Sequence, residues 1–140
     1  IHFALTDIRL HSSWSLELAL TPSEMRKEIA KETTVLPPIK EDEFLCAFNH
    51  IFAGGYSAGY YSYKWAEVLS SDAYAAFEEI EVKSKSNIKA LGNLFRETIL
   101  SQGGSKSPRE IFKTFRGREA NTSALIRHSG FSKDIHSNKS

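Results

Sequence analysis

Apolar residues recur along this chain every three or four positions, and the strict alternation of a half-buried strand hardly occurs. Thr21-Pro22-Ser23-Glu24 sets an N-cap threonine, a proline in the first helical position and a glutamate three residues after the cap, so a helix is expected to run to about Thr33. Ser107-Pro108-Arg109-Glu110 repeats the device and predicts a helix through Ile111, Phe112 and Phe115 that stops at Gly117. Between them, Val35-Leu36-Pro37-Pro38 reads as a stiff extended connector, because each proline fixes its own φ and pushes the preceding residue out of helix. A long helix is predicted from residue 56 to about 80, with Trp65, Val68, Leu69, Ala73, Ala76 and Phe77 as its buried stripe. Another spans about 86–101, carries Ile88, Leu91, Phe95 and Ile99 on one side, and ends at Gly103-Gly104. A short last helix, 122–128, stops at Gly130; beyond it the chain has too little apolar content to order itself, so residues 133–140 read as a disordered tail. The fold class is therefore all-α, a multi-helix packing in which residues 1–132 form the folded part. That class names no activity by itself.

Chemistry concentrates in one block. Residues 49–67 read N-H-I-F-A-G-G-Y-S-A-G-Y-Y-S-Y-K-W-A-E, and if a helix begins near Tyr56, then Tyr56, Tyr60 and Tyr63 stand at i, i+4 and i+7 with their hydroxyls on one face. Tyr61, Trp65, Val68 and Leu69 form the opposite face and read as core. Gly54 and Gly55 offer a bend or hinge close to His50. Tyrosines on a helix commonly serve packing, but large aromatics on both faces are hard to bury in a small bundle without stranding hydroxyls. A phenol ionises near pH ~10, so at neutral pH it donates hydrogen bonds and does not act as a base. Such donors suit a peptide carbonyl, or the charge that develops on its oxygen in a tetrahedral intermediate, where losing one costs roughly 3–4 kcal/mol. The residues alone support a wall that binds a polar substrate.

The composition, 41% hydrophobic and 25% charged over 140 residues, is that of one soluble globular domain. The first residue is Ile1, and I-H-F-A-L-T-D-I-R-L enters in mid-pattern, which reads as a fragment or processed piece. The single cysteine, Cys46, lies in the apolar run 44–48 and is expected to be a buried thiol, which favours a reducing compartment. No apolar run approaches the roughly 20 residues that span a bilayer, so a membrane partner is not expected. The net charge of +1 hides an asymmetry: residues 1–104 hold 10 Lys/Arg against 14 Asp/Glu, and residues 105–140 hold 8 against 3. The basic end is interleaved with Ile111, Phe112 and Phe115 at helical spacing, so it reads as a solvated helix face, not as a surface for nucleic acid.

Several chemistries find no support in the pattern. None of His2, His11, His50, His128 or His136 is followed by glutamate, none pairs with another at i and i+4, and Cys46 has no partner at ligand spacing, so a self-contained metal site is not expected. His50 taken alone would be a hydrogen-bonded structural histidine; its nearness to the glycines and tyrosines makes it a functional candidate. The serines lack a G-x-S-x-G setting, and the double glycines at 54–55 and 103–104 lack the G-K-[ST] of a phosphate loop.

Residues 48–79, F-N-H-I-F-A-G-G-Y-S-A-G-Y-Y-S-Y-K-W-A-E-V-L-S-S-D-A-Y-A-A-F-E-E, closely resemble the C-terminal signature of the thimet oligopeptidase family of zinc metallopeptidases, nearest to its oligopeptidase A branch. F-R-E-T-I-L-S-Q-G-G-S (95–105), S-P-R-E-I-F-K-T-F (107–115) and R-G-R-E (116–119) agree in order, and L-T-D-I-R-L-H (5–11) resembles the helix end that precedes the signature. The resemblance implies the C-terminal part of a two-lobed helical peptidase that uses zinc to hydrolyse short peptides. It further implies that His50 and Tyr63 face the metal across a channel and stabilise the oxyanion, that Tyr56 and Tyr60 position the substrate backbone, and that Gly54 and Gly55 let this wall close on the peptide. The family's H-E-x-x-H helix and its further glutamate ligand have no counterpart in the 140 residues. Zinc would therefore be held by a missing N-terminal portion, which is also the expected partner, and the chain alone is expected to be inactive. Smaller departures are Ala120, where the family usually has proline, and the polar stretch 81–87. The location implied is cytoplasmic, or organellar if a targeting peptide precedes these residues. Two other readings compete: a truncated non-catalytic paralogue or isoform that binds peptides or a partner, and, more remotely, a basic-tailed bundle that binds nucleic acid.

Overall fold

In the computed structural model the described residues, 1–80 and 84–131, are all-α: seven α-helices, one 3₁₀ turn and one π-helical turn, with no strand among them. The expected tail at 133–140, His136 and the departing residues 81–83 lie outside the described residues. The chain divides into two units, Ile1–Lys64 and Trp65–Ser140.

In the first unit, α1 (His2–Ser12) packs with α2 (Pro22–Thr33). The capping box at Thr21 forms as expected: the Glu24 N–H donates to Thr21 Oγ1 at 3.2 Å, and the Thr21 N–H donates to Glu24 Oε2 at 2.8 Å. Met25, Ile29 and Ala30 then fall on the buried face of α2. Val35 and Leu36 stay exposed in the connector before Pro37-Pro38. Arg26, buried on the same side of α2, reaches Asp42 at 2.8 Å and lies 4.7 Å above the Phe44 ring, fixing the start of the next segment. A short helix α3 (Phe44–Ala47) and a 3₁₀ turn (Asn49–Ile51) follow. Phe44 and Phe48, one helical turn apart, point inward; Phe44 stacks on Phe3 at 4.6 Å, and Phe48 is buried. Cys46 lies between them in sequence and is exposed, against expectation, because five consecutive apolar residues cannot share one face of a single helical turn.

The long helix α4 (Ser62–Glu78) starts at Ser62, not near Tyr56, and ends two residues before the expected 80. Residues 56–61 are a series of turns. The backbone N–H groups of Ala58 and Tyr60 are taken by the side chain of Asp7, and Ala58 stands at φ +54, outside the helical region. Tyr61 and Trp65, assigned to the core from periodicity, are 53% and 58% exposed. The buried stripe of α4 begins at Val68 and continues through Asp72, Ala73, Ala75 and Ala76.

In the second unit that stripe packs with α5 (Lys85–Phe95), the π-helical turn (Arg96–Leu100) and α6 (Pro108–Arg116). The small side chains of Ala73 and Ala76 admit the rings of Phe112 and Phe115, and Phe95 meets Phe115 edge-on at 5.4 Å. The second capping box forms at Ser107, and α6 stops at Gly117, whose φ of +70 is the left-handed cap that glycine adopts without strain. Helix α7 (Ser123–His128) also begins and ends where expected, with Gly130 at φ +74 behind it.

Asp72, fully buried in α4, accepts from Arg118 Nη2 and Nη1 at 2.6 and 2.7 Å, from Arg116 Nε at 3.2 Å and from the Asn121 N–H at 3.0 Å. Burial alone would raise its pKa. The hydrogen bonds from Arg118 and Asn121 and the two guanidinium charges outweigh burial and hold the carboxyl below the usual range. Arg116 also grips Glu79 through Nη1 and Nη2 at 3.0 and 2.7 Å, so the R-G-R-E stretch is tied to Asp72 in α4 and to Glu79 just past its end. Near the end of α4, Glu78 pairs with Arg127 and His128 of α7, and the Arg127 hydrogen bond leads the forces that lower its pKa to about 2.

The burial pattern separates two aromatics that periodicity treats alike. Phe112→Ala is expected to cost roughly 3–5 kcal/mol of stability, and the exposed Trp65→Ala about 1 kcal/mol or less. Urea unfolding of the two variants, followed by circular dichroism, reads the difference; equal costs would contradict this packing.

Candidate functional site

His50 and three of the four tyrosines of the block, Tyr56, Tyr60 and Tyr63, meet in the first unit, though not by the helical spacing that the sequence implies. Only Tyr63 lies on α4. His50 belongs to the 3₁₀ turn, and Tyr56 and Tyr60 project from the turns between them. Tyr56 stacks on Tyr63 with ring centroids 5.1 Å apart, and Tyr60 lies 5.0 Å from Tyr63. The His50 ring stands 5.8 Å from Tyr60, 6.1 Å from Tyr56 and 6.4 Å from Tyr63. Beneath them Tyr60 meets Phe48 edge-on at 4.9 Å, and Phe48 lies tilted 5.5 Å from Phe3. The polar cluster thus rests on an apolar floor. Tyr56 and Tyr63 are 37% and 43% exposed, so this cluster is accessible at the surface of the unit.

Protonation follows from this crowding. A hydrogen bond with Tyr56, then desolvation, then the proximity of the Tyr56 and Tyr60 phenols push Tyr63 above the ordinary tyrosine value. Tyr63 is consequently a hydrogen-bond donor across the whole neutral and mildly alkaline range. A phenol held as a donor beside an imidazole can receive a carbonyl oxygen and the negative charge that grows on it.

The glycines shape the approach to His50. A Cβ on Gly54 would fall 2.7 Å from His50 Cα and 3.1 Å from the carbonyl oxygens of Asn49 and His50, so only glycine fits the fold-back of the chain there. Gly55 meets no neighbour but stands at φ +81, a backbone position closed to most side chains. The Gly54 N–H donates to Asn49 O at 2.8 Å and the Tyr56 N–H to His50 O at 2.9 Å, closing the bend on both sides.

One residue that organises this site has no place among the candidates from sequence. Asp7 in α1 has no exposed surface; its Oδ1 accepts from the Ala58 N–H and its Oδ2 from the Tyr60 N–H, both at 2.9 Å. Nδ1 of His11 lies 2.9 Å from Oδ1. An ionised carboxylate buried without partners costs several kcal/mol, and bonds to a charged acceptor return about 1.5–3 kcal/mol each, so this arrangement needs all its donors. The signal was available: Phe3, Asp7 and Leu10 stand at i, i+4 and i+7, which places an acid within an apolar stripe. Asp72 carries the same mark between Val68 and Ala76.

Among the described residues no three His, Cys, Asp or Glu side chains gather in a way that could hold a metal ion. In the second unit a cavity of about 530 Å³ is lined by Leu69, Tyr74, Phe77, Ile99 and Ile111. Its walls are almost wholly apolar and it includes none of the six candidate residues.

The model of peptidase family M3 matches residues 1–131, nearly the entire chain and all of the site. The chain belongs to peptidase family M3. Curated M3 relatives include a probable cytosolic oligopeptidase A of Arabidopsis thaliana, 49% identical over 130 residues, which are 93% of this chain and 18% of that protein. An organellar oligopeptidase A, chloroplastic/mitochondrial, of the same plant is 47% identical over 93% of this chain and 16% of its own length. Oligopeptidase A of Escherichia coli is 43% identical over 93% and 18%. The chain thus spans less than a fifth of the length of these relatives. No helix among the described residues is long and apolar enough to cross a membrane.

Gly54→Ala should force the bend open, because its new Cβ meets backbone and no flexible side chain can yield. The expected cost is about 1–3 kcal/mol of stability, with changed ring shifts for His50 and Tyr56 in a proton spectrum. Unchanged shifts and stability would mean that the close approach is not a constraint.

Proposed function

We propose that this chain supplies the substrate-binding and oxyanion-stabilising wall of a zinc-dependent oligopeptidase acting on short peptides. The observation that carries the reading is the cluster itself: Tyr63, kept protonated, lies stacked against Tyr56 and beside Tyr60, with the imidazole of His50 facing all three. In this reading Tyr63 donates to the carbonyl oxygen of the scissile bond and strengthens that bond as charge develops, with His50 as a second donor. Tyr56 and Tyr60 hold the peptide backbone on either side. Gly54 and Gly55 carry the closure of the wall on its substrate. These are preorganised interactions that favour the transition state over the bound peptide.

Among the described residues the side chains do not fit a zinc site. Ligands to zinc, with the general base, would come from residues outside these 140, and the rest of the same enzyme is then the partner of this chain. Alone it would bind peptide without hydrolysing it. The cytosolic and organellar names of its relatives support either compartment. A second reading, a peptide-binding protein without catalysis, draws on the absence of any H-E-x-x-H in the sequence.

A chimaera in which residues 1–131 replace the matching segment of the Escherichia coli relative tests both. It should hydrolyse short peptides, and Tyr63→Phe within it should lower kcat about 10²–10³-fold with KM changed less than about threefold. Because Tyr63 is pushed above the ordinary tyrosine range by its hydrogen bond with Tyr56, its loss should scale the pH–rate profile down without altering its shape below pH ~9. Full turnover in Tyr63→Phe would overturn the oxyanion role; peptide binding by a chimaera without turnover would favour the second reading.

A further inference from the structure

We infer that Asp7 is a positioning residue for peptide hydrolysis: its buried carboxylate fixes the turn that carries Tyr60 and delivers Tyr63 to its place beside His50. The inference rests on the proposed oligopeptidase reading for its catalytic consequence, and on geometry alone for the positioning itself.

Asp7 lies 51 and 53 residues from the two amides it receives, so this side chain joins α1 to the middle of the tyrosine block. The turn it holds would not hold itself. Ala58 is the single non-glycine residue at positive φ among the described residues, and an L-residue there is strained relative to helix or extended chain. Its N–H and that of Tyr60 point to one side, where a carboxylate with two oxygens accepts both. Helix α4 cannot begin until this turn is complete, since an amide committed to Asp7 is withdrawn from the helical ladder. Tyr63 stands one residue inside the helix, and its azimuth about the axis is therefore set by where the turn ends. Local bonds complete the bend, with Ser57 Oγ donating to Ile51 O at 2.6 Å and the Gly59 N–H to Tyr56 O at 2.8 Å; Asp7 is what ties it to α1.

Asparagine at position 7 has nearly the same size and keeps one acceptor, but it turns an –NH₂ toward one of the two backbone donors, so one bond is lost and two donors face each other. In the 140-residue chain, Asp7→Asn should speed hydrogen exchange of the Ala58 and Tyr60 amides at least tenfold while the Ile29 and Ala30 amides of α2 exchange as before. In the chimaera the same substitution should lower kcat at least tenfold with KM within about threefold and the metal content unchanged. Unaltered exchange at Ala58 and Tyr60, or acceleration shared equally by α2, would overturn the inference, because Asp7 would then be irrelevant to the turn or merely needed for folding. Should the variant not fold, the unsubstituted chain decides: its Ala58 and Tyr60 amides must exchange at least tenfold slower than an unstructured amide, and free exchange there overturns it. An inactive chimaera with Asp7 intact would sink the oligopeptidase reading alone, since the exchange experiment is independent of turnover.

Discussion

The carboxylate of Asp7 is fully buried, and the tyrosine block of the first unit is arranged around satisfying it. An isolated charge in that place would cost more than a small helical unit can supply. The two amides that meet it come from the tyrosine block, so the requirement to satisfy a charge becomes a requirement on the path of the chain. From that path follow the late start of α4, the left-handed backbone at Ala58 and the gathering of four polar aromatic rings over Phe48. A helix running from Tyr56 would have lined the hydroxyls along one edge; the turn folds them toward one another.

The second unit uses the same device for a different end. Asp72 lies on the buried stripe of α4 and binds Arg116, Arg118 and the Asn121 amide, while Arg116 extends to Glu79. The side chains of Asp72 and Arg116 are buried at the centre of that network. The network locks the R-G-R-E stretch onto a helix whose alanines already receive Phe112 and Phe115. In each unit a helical acid fixes a segment far away in sequence. The resulting loop closure would be costly without a strong, directional contact.

Much of this was legible from local signals. Both capping boxes, the glycine stop at Gly117 and the helix before Gly103-Gly104 depend on neighbours within four residues, and all appear at their expected positions. The candidate residues were also legible as a group, since His50, Tyr56, Tyr60 and Tyr63 do converge. The start of α4 was not, because it is decided by a residue some fifty positions upstream. Trp65 and Tyr61 were misplaced because period alone cannot tell which side of a helix another element will cover. The exposure of Cys46 was not legible, because an apolar run does not show which of its residues a single helical turn will bury. Asp7 and Asp72 carried a readable mark, an acid in register with apolar neighbours, that points to long-range anchoring.

The central claim is that peptide backbone is received by His50, Tyr56, Tyr60 and Tyr63 together. The chain has five tyrosines, and the exposed Tyr61 and Tyr74 serve as internal controls. Titrating the chain with a short unblocked peptide while following the ring resonances of all five tyrosines and His50 tests the claim most directly. The account predicts saturable shifts at His50, Tyr56, Tyr60 and Tyr63, with Tyr61 and Tyr74 unmoved. Shifts confined to Tyr61 or Tyr74, or no saturable shift at any ring, would contradict it.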